Sequence, residues 1–313
     1  MIIGIFTNMS DTLTPRSIVG LLLLGVVTTG CARPTAPALS GNAEVAMAMR
    51  AILDAKPSEA SGDTSTVQAE PTGWATLAGQ FRLEGSAPSP LALNVDKDTE
   101  VCAAAGKQIF SESLVVGSTG GIRGVLIYAT TKFPEGNPKW EHESYAATRN
   151  AEIEFDQKNC VFLTHVFAVR TTQNVKVLNS DPIGHNTNIQ PRRGANAFNQ
   201  TIPANGYAAY QPGGESPDPF PVSCSIHPWM SAYMITRENP LFAVTDAEGK
   251  FQITNVPAGV ELEFRVWQEK ASYLQNVTVN GQATTWSKGR VAVTLNPDER
   301  RELDVVVQPA AFQ

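Results

Sequence analysis

Phe220-Pro221-Val222-Ser223-Cys224-Ser225-Ile226-His227-Pro228-Trp229-Met230 is the stretch on which the reading of this chain turns. Phe220–Ser223 places apolar residues at alternate positions and reads as the end of a strand. A thiol, an imidazole and a thioether follow it closely: Cys224, His227 and Met230. One soft thiolate, two imidazoles and a weak axial thioether make up the ligand set of a type 1 copper centre. Only the second imidazole is missing from the stretch. His185 can supply it from Asn179-Ser180-Asp181-Pro182-Ile183-Gly184-His185-Asn186, further upstream.

Each of these residues has an ordinary alternative. A buried free cysteine behaves as a small hydrophobe, and methionine is a common core filler. Met234 competes with Met230 but belongs to the next strand. A lone histidine at a strand end is usually structural. The metal reading gains on these alternatives because the four ligand types stand together in one order. Asn186 then reads as an outer partner, lending hydrogen bonds that tie the two ligand loops together; its alternative is a simple turn residue. Two further histidines complete the chain's four. His142, in a Glu-His-Glu run, reads as solvated, and His165, on a strand, as structural or interfacial.

The rest of the sequence narrows the function class. Net charge is −6 over 313 residues, and the basic residues do not cluster beyond Arg192-Arg193. No basic face is visible, so nucleic-acid binding is not expected. Residues 17–30 form an apolar run behind Arg16 and before Cys31, too short to span a membrane and suited to a signal-peptide core. The remaining cysteines are Cys102 and Cys160, which an exported compartment would pair as a disulfide. Neither has a second ligand at close spacing.

After residue 72 almost every segment is β-like. Runs such as Thr76–Leu83, Val125–Thr130, Phe162–Thr171, Lys250–Ile253 and Val260–Gln268 are broken by turn residues at regular intervals. Many short strands with such punctuation argue for an all-β chain of sandwiches. Gly117-Ser118-Thr119-Gly120-Gly121 reads as a hairpin turn and not as a phosphate cradle, since neither a helix nor a Lys-Ser/Thr pair follows. The expected divisions are 1–31 as signal peptide, 32–72 as disordered linker, 73–144 as an N-terminal β segment, 145–238 as the domain with the ligands, and 239–313 as a C-terminal β-sandwich.

Residue by residue, 145–238 resembles the cupredoxins, amicyanin-like and plastocyanin-like proteins above all. The resemblance lies in His185-Asn186 followed by Cys224-x2-His227-Pro228-x-Met230. The run Phe242–Gly259, with Asp246-Ala247-Glu248-Gly249 and Pro257-Ala258-Gly259, resembles carboxypeptidase regulatory-like sandwiches of transthyretin type. A strand like Val125–Ala129 comes before that run in the family, and here it lies beyond the ligand segment. Hence 73–144 is read as part of the second sandwich, with the cupredoxin domain inserted; a plain tandem is the alternative. Residues 28–31 resemble a bacterial lipobox, although Thr28 departs from its aliphatic pattern, so Cys31 is the lipidation candidate. The whole resembles exported bacterial proteins of the methylamine-utilisation-like kind.

The resemblance implies a Greek-key β-sandwich holding one type 1 copper ion through His185, Cys224, His227 and Met230. Pro182 and Pro228 would stiffen the ligand loops. His227 would reach the surface as electron port beside Trp229, whose alternative role is packing between the sandwiches. Four histidines are too few for the several coppers of multicopper oxidases or copper nitrite reductases, so no enzyme activity is expected. The leading expectation is a one-electron carrier between redox partners of the cell envelope or periplasm, lipid-anchored to a membrane. The alternatives are a copper-handling protein without redox cycling and a cell-surface structural module.

Overall fold

Two strands that begin and end the β region, Gly73–Leu83 and Arg300–Val307, run side by side in parallel. A computed structural model describes residues 69–313. The expected signal peptide, Cys31 and the linker up to residue 68 lie outside the described residues. Gly73–Leu83 also pairs with Lys250–Ala258, and Asn276–Val279 and Gln282–Thr285 extend the sheet beyond Arg300–Val307. A second sheet joins Phe242–Val244, Leu126–Ala129, Glu261–Gln268 and Ser272–Tyr273, with Arg290–Thr294 also pairing to Glu261–Gln268. Leu77 and Phe81 from the first sheet share one core with Ile127, Phe264 and Val266 from the second. Segments on either side of the ligand-bearing stretch thus supply both sheets of this flanking sandwich.

The central sandwich is built from the stretch between them. One sheet orders Phe198–Ile202, His185–Ile189, Phe220–Ser223, Ser231–Arg237 and Val166–Arg170. The other orders Tyr207–Tyr210, Asn174–Asn179, Glu152–Lys158 and Val161–Phe162. Phe155 stacks on Phe162 and Phe167 at centroid distances of 5.0 and 4.5 Å, at the middle of a core that also contains Val222, Met234, Cys224 and Met230. Stacked rings of this kind add about 0.5–1.5 kcal/mol beyond their buried area.

Leu126-Ile127-Tyr128-Ala129 is buried at every position. A strand covered on both faces loses polar alternation, and here both covers are visible. Ile127 and Ala129 face the flanking core, while Leu126 and Tyr128 meet Val166 and Ile235 of the central sandwich. The connection between the sandwiches is fixed by charge. Arg170 grips Glu141 with two hydrogen bonds of 2.8 and 2.9 Å, and Arg149 adds two more of 3.2 and 2.7 Å. Burial alone would raise the Glu141 pKa, but the two guanidiniums hold it below the usual value. A depressed folded-state pKa stabilises the fold above the unfolded-state value, and that contribution is lost as pH falls through the folded one. Glu141→Gln is therefore expected to unfold more readily than the unaltered chain at pH 7. The difference should vanish in acid, as followed by denaturant midpoints across the pH range.

Several sequence expectations need adjustment. The 117–121 hairpin is present, with Gly117 N donating to Gly121 O at 2.8 Å and Gly120 at φ +84°. A Cβ at Gly121 would lie 2.2 Å from Glu248, so the hairpin requires glycine to sit on the 246–249 turn. Phe162–Thr171 is not one strand. It breaks at Leu163–His165, where Leu163 N turns back to Asp156 O and His165 turns toward Glu269 of the flanking sandwich. His142 is half-buried, set edge-on against Trp74 and capping the turn at Glu143–Tyr145. The 73–144 segment divides between the two sandwiches. Its ends join the flanking one, but Leu93, Val95, Val101, Cys102 and Ile109 pack on the central core.

Candidate metal centre

Asn-Cys at 159–160 makes the two-residue turn joining Glu152–Lys158 to Val161–Phe162, with φ of 56° and 59°. Two positive φ values suit the twist of a tight hairpin. Cys160 forms a disulfide with Cys102, as its sequence context predicts. Asp181 holds the turn from outside: its Oδ1 accepts from Asn159 N at 2.7 Å and its Oδ2 from Cys160 N at 2.8 Å. The same Oδ2 accepts from His185 Nε2 at 2.8 Å. One carboxylate therefore fixes both the hairpin and the imidazole of His185.

His185 begins the strand His185–Ile189, next to Phe220–Ser223, and does not lie on a free loop. The pairing carries Cys224 to it: Asn186 N donates to Cys224 Sγ at 3.3 Å. His227 N donates to the same sulfur at 3.4 Å. Two N–H groups thus fix the position of one buried sulfur, and a thiolate is a metal ligand. The Asn186 side chain accepts from Ser225 N at 3.2 Å and donates to Asn199 Oδ1 and Gln200 O, tying the ligand loop to the neighbouring strands. Met230 N donates to His227 O, and Cys224 N donates to Met230 O. That pair of bonds closes the loop on itself and brings Met230 to the Cys224 end, where both are buried.

His185, Cys224 and His227 are all buried and present ligand atoms within 4.8 Å of one another. Metal–nitrogen and metal–sulfur bonds of about 2.0 and 2.3 Å can bridge such a span. The arrangement of the ring nitrogens says more. His185 Nε2 is committed to Asp181, and His227 Nε2 donates to Asp98 Oδ2 at 2.8 Å. An imidazole that donates from one nitrogen presents a lone pair on the other. Both Nδ1 atoms are thus acceptors, and they face each other at 2.9 Å, with Cys224 Sγ 3.9 Å from that of His227. Two lone pairs at that separation repel unless a cation lies between them. Burial holds the His185 pKa below its ordinary value, outweighing the pull of Asp181, so the neutral, metal-binding imidazole is favoured over a bridging proton. The donor set fits a thiophilic, imidazole-binding metal such as copper.

A second cluster, Cys160 with Asp181 and His185, also falls within bonding span. Its sulfur is consumed by the disulfide, and its other members serve the first cluster.

The expected surface port is absent. His227 is wholly buried, and its outer nitrogen is covered by Asp98 from the 91–111 stretch. Trp229 does not pack between the sandwiches. Its ring lies 5.1 Å from that of His227 and its Nε1 donates to Cys160 O at 3.0 Å, so it braces the ligand loop against the disulfide. Sequence reading missed both carboxylates. Asp181 stood inside the quoted His185 segment, four residues before the histidine, and could have been found there. No local pattern links Asp98 to residue 227.

No family model and no curated protein sequence matches the chain. Among solved structures, amicyanin from Paracoccus versutus is similar over 36% of this chain and 97% of its own, at 15% identity and a TM-score of 0.25. A Cu(I) amicyanin variant matches 28% of this chain and 82% of its own, at 15% identity and a TM-score of 0.25. A copper-containing nitrite reductase from Thermus scotoductus SA-01 matches 28% of this chain and 22% of its own, at 15% identity and a TM-score of 0.26.

Proposed function

We propose that the chain binds one copper ion through His185, Cys224, His227 and Met230 and acts as a one-electron carrier of the cupredoxin kind. The observation that carries this reading is the pair of Nδ1 acceptors held 2.9 Å apart beside a buried sulfur that accepts two backbone N–H groups. When bound, copper supplies the Cu(II)/Cu(I) couple. The chain's part is to hold the donors still. Asp181 and Asp98 orient the two imidazoles, backbone N–H groups orient the sulfur, and the sheet fixes the strands that bear them. Water is kept out by burial of all four side chains. In this reading the chain is not an enzyme. It is exported, anchored through Cys31, and exchanges electrons with a protein partner in the envelope.

A visible spectrum of the purified chain titrated with Cu(II) tests the assignment. An intense thiolate-to-copper band is expected at one equivalent, and none in Cys224→Ser. No band in the unaltered chain, or the same band in the serine variant, would sink it.

One observation favours a second reading, in which copper is held or passed on without redox cycling. Buried His227 offers no ring edge to a partner. Reversible voltammetry with rapid self-exchange supports the carrier; Cu(I) binding without reversible oxidation supports handling.

A further inference from the structure

Resting on the copper reading, we propose that Asp98 is a positioning residue that holds His227 by its outer nitrogen and biases the centre toward its oxidised form. Asp98 belongs to the 91–111 stretch, which adds no strand to either sandwich. The stretch is fastened over the ligand loop at three points. Cys102 is joined to Cys160, Lys97 Nζ donates to Ile226 O at 3.2 Å, and Asp98 Oδ2 receives His227 Nε2–H at 2.8 Å. Asp98 itself adopts φ 45°, a left-handed conformation that aspartate tolerates better than most residues. Its carbonyl accepts from Val101 N and Cys102 N at 2.9 and 2.8 Å. The turn that aims the carboxylate is therefore the one that leads into the disulfide.

A carboxylate accepting from one imidazole nitrogen fixes the ring and makes the other nitrogen a stronger donor to a metal. Its charge also favours whichever state carries more positive charge. Reduction of Cu(II) to Cu(I) adds one electron and removes one unit of that charge. No proton need move, because the Nε2 proton stays between His227 and Asp98. Asp181 acts in the same sense at His185, but it also holds the 159–160 turn, so its replacement disturbs the fold. Asp98 is the cleaner probe. Its side chain keeps 42% of its exposure, which screens its charge and limits the effect.

The test is a redox titration of the copper-loaded full-length chain, following the thiolate-to-copper band. Asp98→Asn is compared with Asp96→Asn, which removes the same charge from the same stretch at a residue whose side chain meets Asn94 and, among the described residues, no metal-site group. Asp98→Asn should keep its band and shift the Cu(II)/Cu(I) ratio at fixed potential about tenfold toward Cu(I), equivalent to a rise of about 59 mV. Asp96→Asn should shift it far less, and Asp98→Glu should stay near the unaltered chain. Equal shifts in the two asparagine variants, or no shift with the band intact, overturn the proposal. If Asp98→Asn cannot be loaded, Asp98→Glu carries the test, and a failure to load or a changed potential there overturns it. A missing band before any substitution defeats the copper reading, and this inference falls with it.

Discussion

Cys102→Ser combined with Cys160→Ser is expected to lower the stability of the chain by about 4 kcal/mol. The two cysteines are 58 residues apart in sequence, and cross-linking a loop of that size removes much of the unfolded chain's freedom. The loss should appear as a lower urea midpoint, with a slope no smaller than that of the unaltered chain, since the unfolded state without the cross-link exposes at least as much surface. The disulfide also fastens the Thr99–Cys102 helix and with it Asp98. Trp229 leans on the backbone of Cys160 from the other side. Copper should therefore leave the double variant faster when a chelator is added, even in buffer where the protein is fully folded. An unchanged urea midpoint together with an unchanged release rate would show that the 91–111 stretch is held by packing alone. The core contacts of Leu93, Val95, Val101 and Ile109 are the candidates for that packing.

The parts of the site that could be read from sequence are those whose chemistry is local. Cys224, His227 and Met230 lie on one turn of chain, closed by the Met230 N–His227 O and Cys224 N–Met230 O bonds, so their grouping is local. The strand before them is legible because Phe220 and Val222 alternate with exposed Pro221. His185–Ile189 was harder to see. It is a strand made of His-Asn-Thr-Asn-Ile, with no apolar alternation, and it is a strand because it lies between Phe198–Ile202 and Phe220–Ser223. Tertiary pairing decided it, as is common for β-structure. The carboxylate on His227 was not legible at all. Asp98 reaches it across the fold through a stretch with no periodic pattern, and only the disulfide hints that this stretch belongs near residue 160. The buried state of His227 follows from that contact. The resemblance in the sequence implied a ring that meets the surface, and nothing in the sequence pattern announced the segment that covers it.

The largest single-residue effect should come from Asp181→Ala. The side chain is buried and accepts three hydrogen bonds, from Asn159 N, Cys160 N and His185 Nε2. Alanine leaves two backbone donors without these acceptors in a turn that has two residues at positive φ. Each unsatisfied buried donor costs about 1–3 kcal/mol; Cys160 N and His185 Nε2 are the buried ones, while Asn159 is exposed, so a loss of about 2–5 kcal/mol is expected in denaturant unfolding. The same substitution frees the His185 ring, whose Nδ1 orientation depends on the anchored Nε2. Removing such an outer partner typically lowers metal affinity about 10–100-fold, measurable by competition with a chelator of known affinity. The two effects can be separated by Asp181→Asn. Its carbonyl oxygen can still accept from the turn, while its amide, turned toward His185, presents a donor where the ring also donates. Asparagine should therefore recover part of the stability while affinity stays low. Stability and affinity that recover together would mean that the carboxylate acts on the metal only through the hairpin, and that His185 is oriented by its strand.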